Sequence, residues 1–484
     1  MARQSPPWGY RWRSQRLFII VTVGIGLFSD LFLYGIVVPV MPFVLRDRLG
    51  IDDSAIQTQT SRQLAAYAGS SVLFAVPVGW AADRFGSRKL PFVVGIVALL
   101  ASTAMLCAGT TLAVLLAARL LQGVSVAIVW AVGFATLQDL VGASELGRVT
   151  GSIFSFVSVG ELLAPALGGW LYDSGGMKAV FTLCATVLLV DLTMRLLMLD
   201  KLEMEKYRVV SDLDEDESDS NLSESTTAQG CVGEDDESSP LLRRRNELKS
   251  CEFRIPENAG WLARNLPVLF CMRNSRLSMA MAIALVQGIV VGVIDATVPI
   301  QLTSLFLFTS NQVGMTFACM IVPLVGLGQP AGWAVDRYGP RALATTGYAL
   351  LVPAVGLFSL PSLEILSDAA RLPFFCVVLA LNGVALALTG PISYVEAGSV
   401  IESYHMANPG FFGKHGPYAQ LYGFNSLFFF GGLAIGPLVG GWLSEAYGFH
   451  VMALVFAGVA AVMLALVLGL VGKTSAEVFC KNDE

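Results

Sequence analysis

The chain has 484 residues, of which 55% are hydrophobic and only 14% charged, with a mean hydropathy of +0.65. A soluble chain of this length carries nearer a quarter charged residues, so composition argues against a soluble enzyme or a nucleic-acid-binding protein. The net charge of −6 says little about the rest of the chain, because the acids gather in one segment, Asp212 to Glu237.

In chain order, residues 1–16 form a basic N-terminal segment, and the apolar run after it is too long for a cleavable signal peptide. From there apolar runs of about 20 residues follow one another, each able to cross ~30 Å of hydrocarbon. Backbone groups in lipid must be satisfied within their own segment, so such runs are helices; barrel strands would alternate. The pattern predicts an all-α polytopic membrane protein. Six spans lie at roughly 17–45, 63–82, 91–110, 112–138, 149–171 and 178–199. The first is long enough that it must tilt, kink or protrude, with Pro39 and Pro42 marking its far end. Residues 200–275 form a linker whose acidic, Ser-rich composition predicts a solvated, disordered segment. Six more spans follow at 276–305, 312–334, 342–362, 371–395, 417–443 and 449–472, and a short tail, 473–484, closes the chain. This gives two six-helix bundles, 17–199 and 276–472.

Short-loop Lys and Arg set orientation. Arg3, Arg11, Arg13 and Arg16 precede the first span; Arg84, Arg88 and Lys89 follow the second, Arg148 the fourth, and Arg337 and Arg341 the eighth. The opposite side holds fewer: Arg46, Arg48, Lys178 and Arg371. Both termini and the linker are therefore expected on the cytoplasmic side. The eight cysteines lie mostly in apolar runs or in the linker without metal-ligand spacing, so neither structural disulfides nor a metal site is expected. No cofactor is implied.

The halves repeat each other. Gly79-Trp80-Ala81-Ala82-Asp83-Arg84-Phe85-Gly86-Ser87-Arg88-Lys89 returns as Gly332-Trp333-Ala334-Val335-Asp336-Arg337-Tyr338-Gly339-Pro340-Arg341. Val37-Val38-Pro39-Val40 in the first span matches Thr297-Val298-Pro299-Ile300 in the seventh, and Gly168-Gly169-Trp170-Leu171 matches Gly440-Gly441-Trp442-Leu443. Parallel six-helix repeats suggest a rocking carrier with its binding site between the halves.

These residues resemble the major facilitator superfamily over the whole chain outside the linker. The repeated clasp matches the family's G-x-x-x-D-R-x-G-x-R-K loop, and Arg119-Leu120-Leu121-Gln122-Gly123 matches its span-four motif. Gly432-Leu433-Ala434-Ile435-Gly436-Pro437-Leu438-Val439-Gly440-Gly441 fits the antiporter motif G-x-x-x-G-P-x-x-G-G. The family normally carries that motif in span five; there this chain has Gly160-Glu161-Leu162-Leu163-Ala164-Pro165-Ala166-Leu167-Gly168-Gly169, with Ala164 in place of a glycine. The chain is most similar to twelve-span drug:proton antiporters and to vesicular amine transporters. The stretch from Asp30 to Pro39 resembles the first span of the amine carriers, in which an acid contacts the cationic cargo. Ser426 stands where those carriers have an acid, so amine specificity is one possibility among several. The resemblance implies that the clasp holds the cytoplasmic side together when the carrier faces outward.

An exchanger needs a titratable group reachable in turn from each side, and ionisable residues within spans are costly enough to suggest function, ~2.5 kcal/mol or more at mid-membrane. Asp30, Glu161, Asp295 and Glu396 are the candidate acids. Asp30 leads; its plain alternative is an acid paired with a buried Arg or a backbone donor. Glu161 either binds a proton or pairs with Arg119. Asp295 occupies the matching span of the second half. Glu396 falls near a span end, which favours a solvated carboxylate. Arg119 is either an electrostatic switch beside an acid or a charge stabilised by carbonyls or by snorkelling. Asp191 and Arg195, four apart on span six, read as a structural pair.

In the clasp, Gly79 and Gly86 permit close packing and a tight turn, while Asp83 and Arg84 engage helix ends and partner charges. Small residues around Pro165 and Pro437 let helices meet backbone to backbone, which explains the motifs as well as antiport does. Tyr34, Trp130, Gln138, Gln287, Asn382, Tyr394, Tyr422 and Asn425 are candidates to line a cavity, fewer than half of them touching cargo. In the linker, Glu237-Ser238-Ser239-Pro240-Leu241-Leu242 resembles an acidic dileucine sorting signal read by an adaptor; Asn221 has glycosylation form, but a cytoplasmic linker never meets the enzyme.

The leading expectation is proton-coupled efflux of a small organic molecule, with protons, cargo and lipid as partners and a monomer as the working unit. The alternatives are nutrient uptake or uniport, or a receptor that kept the fold and lost transport. Enzymatic activity has no support, since His405, His415 and His450 are isolated and no nucleophile elbow is present.

Overall fold

The structure, a computed structural model, describes residues 8–84, 87–199, 253–255, 264–308, 310–363, 367–408, 410–412 and 416–470. Gly86, His415, the acidic stretch Asp212 to Glu237 and the sorting-signal residues Glu237, Leu241 and Leu242 lie outside the described residues, as does the tail from 471 onward.

The first span, α1 (Arg16–Phe43), has 28 residues and runs on through a π-turn, Val44–Arg48. At ~1.5 Å per residue it overshoots ~30 Å of hydrocarbon, as its apolar length requires. Next come α2 (Asp53–Arg84) and α3 (Lys89–Ala108). Helical hydrogen bonding then continues over 86 residues, Leu112–Leu197, broken by Gly142 (φ 67°) and Gly176 (φ 63°). Both glycines adopt a left-handed backbone that residues with a side chain rarely enter, and they divide the run into α4 (112–141), α5 (143–175) and α6 (177–197). The second half holds α7 (Ser275–Phe306), α8 (Ser310–Tyr338) and α9 (Pro340–Gly356, with a 3-10 extension Leu357–Leu363). It is completed by α10 (Asp368–Thr389, resumed as Ile392–Ala407), α11 (Tyr418–Tyr447) and α12 (Phe449–Leu470).

Among the described residues eleven helical stretches are long and apolar enough to cross a membrane, and one of them, Leu112–Ala164, is 53 residues long and is broken at Gly142. The expected twelve passes follow. Two bounds differ from expectation: α2 begins near residue 53, with a polar first third, and α10 extends to Ala407. Polar residues add length to a helix outside the hydrocarbon, where hydropathy does not register them.

Glycines decide how the helices meet. A side chain on Gly288 would strike the Phe429 carbonyl, one on Gly292 the Leu433 backbone and Pro437, and one on Gly432 or Gly436 the carbonyls of Leu285 or Ile289. So α7 and α11 interlock backbone to backbone along the antiporter-type motif. In the first half Gly160 meets Phe28 and Gly168 meets the Ile36 backbone, whereas Gly169 and Gly441 face open space. Between the halves, α2 packs on α11 and α5 on α8, while α1 and α7 make no extended contact among the described residues.

Gly288→Val forces two backbones apart and should destabilise the protein by about 1–3 kcal/mol, the usual cost of overpacking. Gly441→Ala should leave stability unchanged within about 0.5 kcal/mol. Thermal unfolding in detergent, followed by tryptophan fluorescence, compares the two.

Candidate functional site

At the face shared by the first helix start and the α2–α3 and α8–α9 turns, the halves are joined by carboxylates seated on helix beginnings. Asp83 closes α2, and its two oxygens accept the backbone N–H groups of Ala419 (2.9 Å) and Gln420 (2.7 Å) at the start of α11. Asp336 repeats the arrangement near the end of α8, accepting from Gly147 N–H (2.8 Å) and Arg148 N–H (2.7 Å) at the start of α5. The first amides of a helix lack intrahelical partners and carry the positive end of its dipole. Asp83 therefore acts as an N-cap contributed by the opposite half, while Asp336 makes the matching contact one turn farther into its helix. Glycine makes the approach possible: a side chain on Gly79 would meet the Ala419 backbone, and one on Gly332 the Gly147 carbonyl. Gly339 (φ 84°) supplies the turn before α9.

Arg88 completes the first clasp, donating to Asp83 at 2.7 Å and to Asp139 of α4 at 3.1 Å. Among the described residues Arg84 has no ion pair, although a partner charge was expected for it. It lies 3.9 Å over the Trp80 ring and donates to the Asn265 amide oxygen at 2.6 Å. Arg337 likewise lies over Trp333, 5.8 Å from the ring centre.

Behind the clasp the interface is layered. The Tyr422 hydroxyl donates to Gln138 Oε1 at 2.8 Å, then Phe134 lies 4.1 Å from Tyr394 and Trp130 5.8 Å from Phe430, ring centre to ring centre. These pairs join α4 to α10 and α11 and exclude water from this side.

Asp30 sits at the last of these layers, fully buried on α1. Its Oδ2 accepts from Trp130 Nε1 at 3.1 Å and its Oδ1 has no hydrogen-bond partner. Asp191 and Arg195 of α6 form the expected structural pair, with bonds of 2.7 and 2.8 Å. Arg195 also donates to the Phe92 carbonyl and fills the space left by Gly26, one turn from Asp30. Farther toward the opposite face, Tyr34 stacks on Tyr67 at 4.8 Å near Arg119. Arg119 is fully buried, donates one N–H to Gln122 Oε1 (2.9 Å) and leaves Nε and Nη2 without partners. It does not pair with Glu161. Glu161 on α5 and Asp295 on α7 are instead exposed, one in each half.

Three sequence expectations are corrected. Glu396 is not a solvated carboxylate at a helix end: α10 continues past it, and it is buried in an ion pair with Arg276 Nε at 2.7 Å. Asn382 does not line a cavity, because its amide donates to the Ala354 and Val378 carbonyls, both at 2.9 Å. Gln138 is engaged by Tyr422. Gln287 is half-buried beside Gly390, and the side-chain amide of buried Asn425 has no partner. Sequence reasoning missed Asp139, Arg276, Tyr67 and the Trp130–Asp30 bond; the signal for Asp139 was an acid three residues before a glycine turn. Among the described residues no group of three metal-ligating side chains occurs.

A family model described as Major Facilitator Superfamily matches residues 23–276 and 280–478. The chain is 44% identical over 470 residues to the MFS-type transporter ppzB of Metarhizium rileyi, covering 96% of this chain and 97% of that one. A Drosophila melanogaster vesicular acetylcholine transporter is 30% identical over 209 residues, 38% of this chain and 36% of that one. Among solved structures, the human organic anion transporter TETRAN superposes with a TM-score of 0.65 at 18% identity, over 93% of this chain and 99% of that one. The proton:xylose symporter XylE superposes at 0.66 and 13% identity, over 94% and 95%.

Asp83→Asn keeps the shape of the clasp and removes its charge. Hydrogen bonds to a charged group contribute about 1.5–3 kcal/mol, so the fraction of molecules open on the clasp side should rise about tenfold or more. Spin labels at Leu17 and Tyr338, both exposed on that side and in opposite halves, report it as a longer distance population.

Proposed function

This chain belongs to the major facilitator superfamily, a family of membrane carriers rather than enzymes, and we propose that it is a proton-coupled antiporter exporting a small organic molecule. The observation that carries the proposal is Asp30: a carboxyl group at membrane depth, bonded through one oxygen to the Trp130 indole and with the other oxygen unpartnered. A group so placed holds a proton or a cation more readily than a bare charge, because an isolated buried carboxylate is costly.

The positive loops, Arg84, Arg88, Lys89, Arg148, Arg337 and Arg341, all lie at the clasp side, which the positive-inside rule places in the cytoplasm. The conformation described is then closed to the cytoplasm, with Glu161 and Asp295 exposed away from the clasp. Protons entering from outside neutralise Glu161 and Asp295, reach Asp30 and lower the charge between the halves. Rocking then breaks the clasp, and cytoplasmic cargo displaces the proton. Arg119, with two unsatisfied N–H positions, supplies a fixed positive charge that favours proton release as the cleft rehydrates. A cationic amine competes with a proton for the same carboxylate, which makes exchange the natural stoichiometric outcome. Drugs, amines and secondary metabolites are the cargo classes, in the plasma or vacuolar membrane, and partial similarity to vesicular acetylcholine transporters supports amines among them.

Flux in sealed vesicles tests the reading across organic cations and neutral compounds. Wild-type flux should require an imposed pH gradient, and Asp30→Asn should lower it at least tenfold at unchanged protein level. Gradient-independent flux would instead establish uniport, and an indifferent mutant would move the coupling role to Glu161 and Asp295.

A further inference from the structure

The two halves are not equally latched. In the first, Asp83, Arg88 and Asp139 form a continuous chain of ion pairs that fixes the carboxylate capping α11. The second half has the same Asp-to-Arg spacing, Asp336 and Arg341, but not the same chain. Arg341 is turned outward and donates to the Leu468 carbonyl of α12 at 2.8 Å. The acid is missing as well. Gly123 of α4 packs on the Tyr67 carbonyl and Gly383 of α10 on the Met320 carbonyl, which aligns the two helices in the repeat. That alignment brings Ser399 to the place of Asp139, and Ser399 bonds back to the Glu396 carbonyl of its own helix at 2.9 Å.

One turn beyond Ser399 the second half does carry an acid, Glu402. It does not turn toward Arg341. Its Oε2 accepts the backbone N–H of Ala143 at 3.1 Å, across the interface between the halves. Ala143 is the first residue after Gly142, whose left-handed backbone turns α4 into α5, and a side chain on Gly142 would lie 3.9 Å from Glu402 Oε1.

We propose that Glu402 is a third cross-half latch, a positioning residue that holds the α4–α5 turn closed and takes over the role of the ion-pair chain absent from the second half. In the first half the capping aspartate is held by an arginine behind it. In the second, Asp336 has no such ion pair among the described residues, and the first turns of α5 that it contacts are held from a second point. Three carboxylates thus seat on three amide sites, one from α2, one from α8 and one from α10. Since Glu402 bonds only when the halves meet, its loss changes the balance of conformations rather than the stability of either half. Its carboxylate is charge-assisted against a single amide, so it is worth less than either aspartate, which binds two.

The test is a distance measurement on the full chain carrying spin labels at Leu17 and Tyr338, and it is independent of cargo and of proton coupling. Glu402→Ala should raise the clasp-side-open fraction about threefold to tenfold with an unchanged melting temperature. Glu402→Asp, which keeps the charge and withdraws it by one methylene, should raise it too. Arg341→Ala should leave the distribution as in wild type, whereas Arg88→Ala should shift it. A wild-type distribution in Glu402→Ala would overturn the proposal, as would an equal shift in Arg341→Ala. If Glu402→Ala does not fold, Glu402→Asp decides by the same criterion.

Discussion

Helix beginnings leave amide hydrogens without partners, and this chain satisfies several of them from the opposite half of the molecule. Within lipid or a dry interface an unmet backbone donor costs several kcal/mol, so the beginnings of α5 and α11 must find acceptors. Glu402 supplies one at Ala143 and Asp83 two at Ala419 and Gln420, with Asp336 bonded one turn farther into α5, and these contacts tie the folding requirement of one half to the presence of the other. Rocking the halves apart exposes these amides to water, which can replace the carboxylates. In the proposed rocking cycle, that replacement makes the clasp bonds reversible.

The charged residues fall into two physical classes. Asp191–Arg195 is paired and fully buried, Glu396 is buried against a partly exposed Arg276, and Arg88 holds the clasp aspartate Asp83 together with Asp139. Asp30 and Arg119 are buried with polar atoms left unpartnered, as is Glu396 Oε2, and Glu161 and Asp295 are exposed with no ion pair among the described residues.

The antiporter-type motif has a packing explanation in this molecule. Gly432 and Gly436 of α11 meet α7 backbone to backbone, and Gly288 and Gly292 return the contact. The first-half copy has Ala164 within it, and there Gly160 and Gly168 meet α1 through Phe28 and the Ile36 backbone. Interlocked glycines make α7 and α11 a single rigid unit, which is what a rocking half needs. The same residues therefore do not by themselves distinguish exchange from uniport.

Hydropathy, Lys and Arg placement and the Asp83/Asp336 repeat determined the helical class, the spans and the position of the clasp, because burial in lipid demands long apolar runs and a duplicated loop is visible at any distance in the chain. The Asp191–Arg195 pair was legible for a related reason, since residues four apart on a helix share a face. Partnerships made across space were not. Nothing local says that Asp83 reaches Ala419 and Gln420, that Arg84 turns to Trp80 instead, or that Asn382 is consumed by the carbonyls of α9 and α10. Glu396 looked solvated because hydropathy underestimates where a polar-tipped helix ends, and only the neighbouring Arg276 reveals its burial. Sequence fixes which groups are available and how deep they lie; the tertiary structure alone decides which donor each carboxylate meets, because those donors arrive from helices hundreds of residues away.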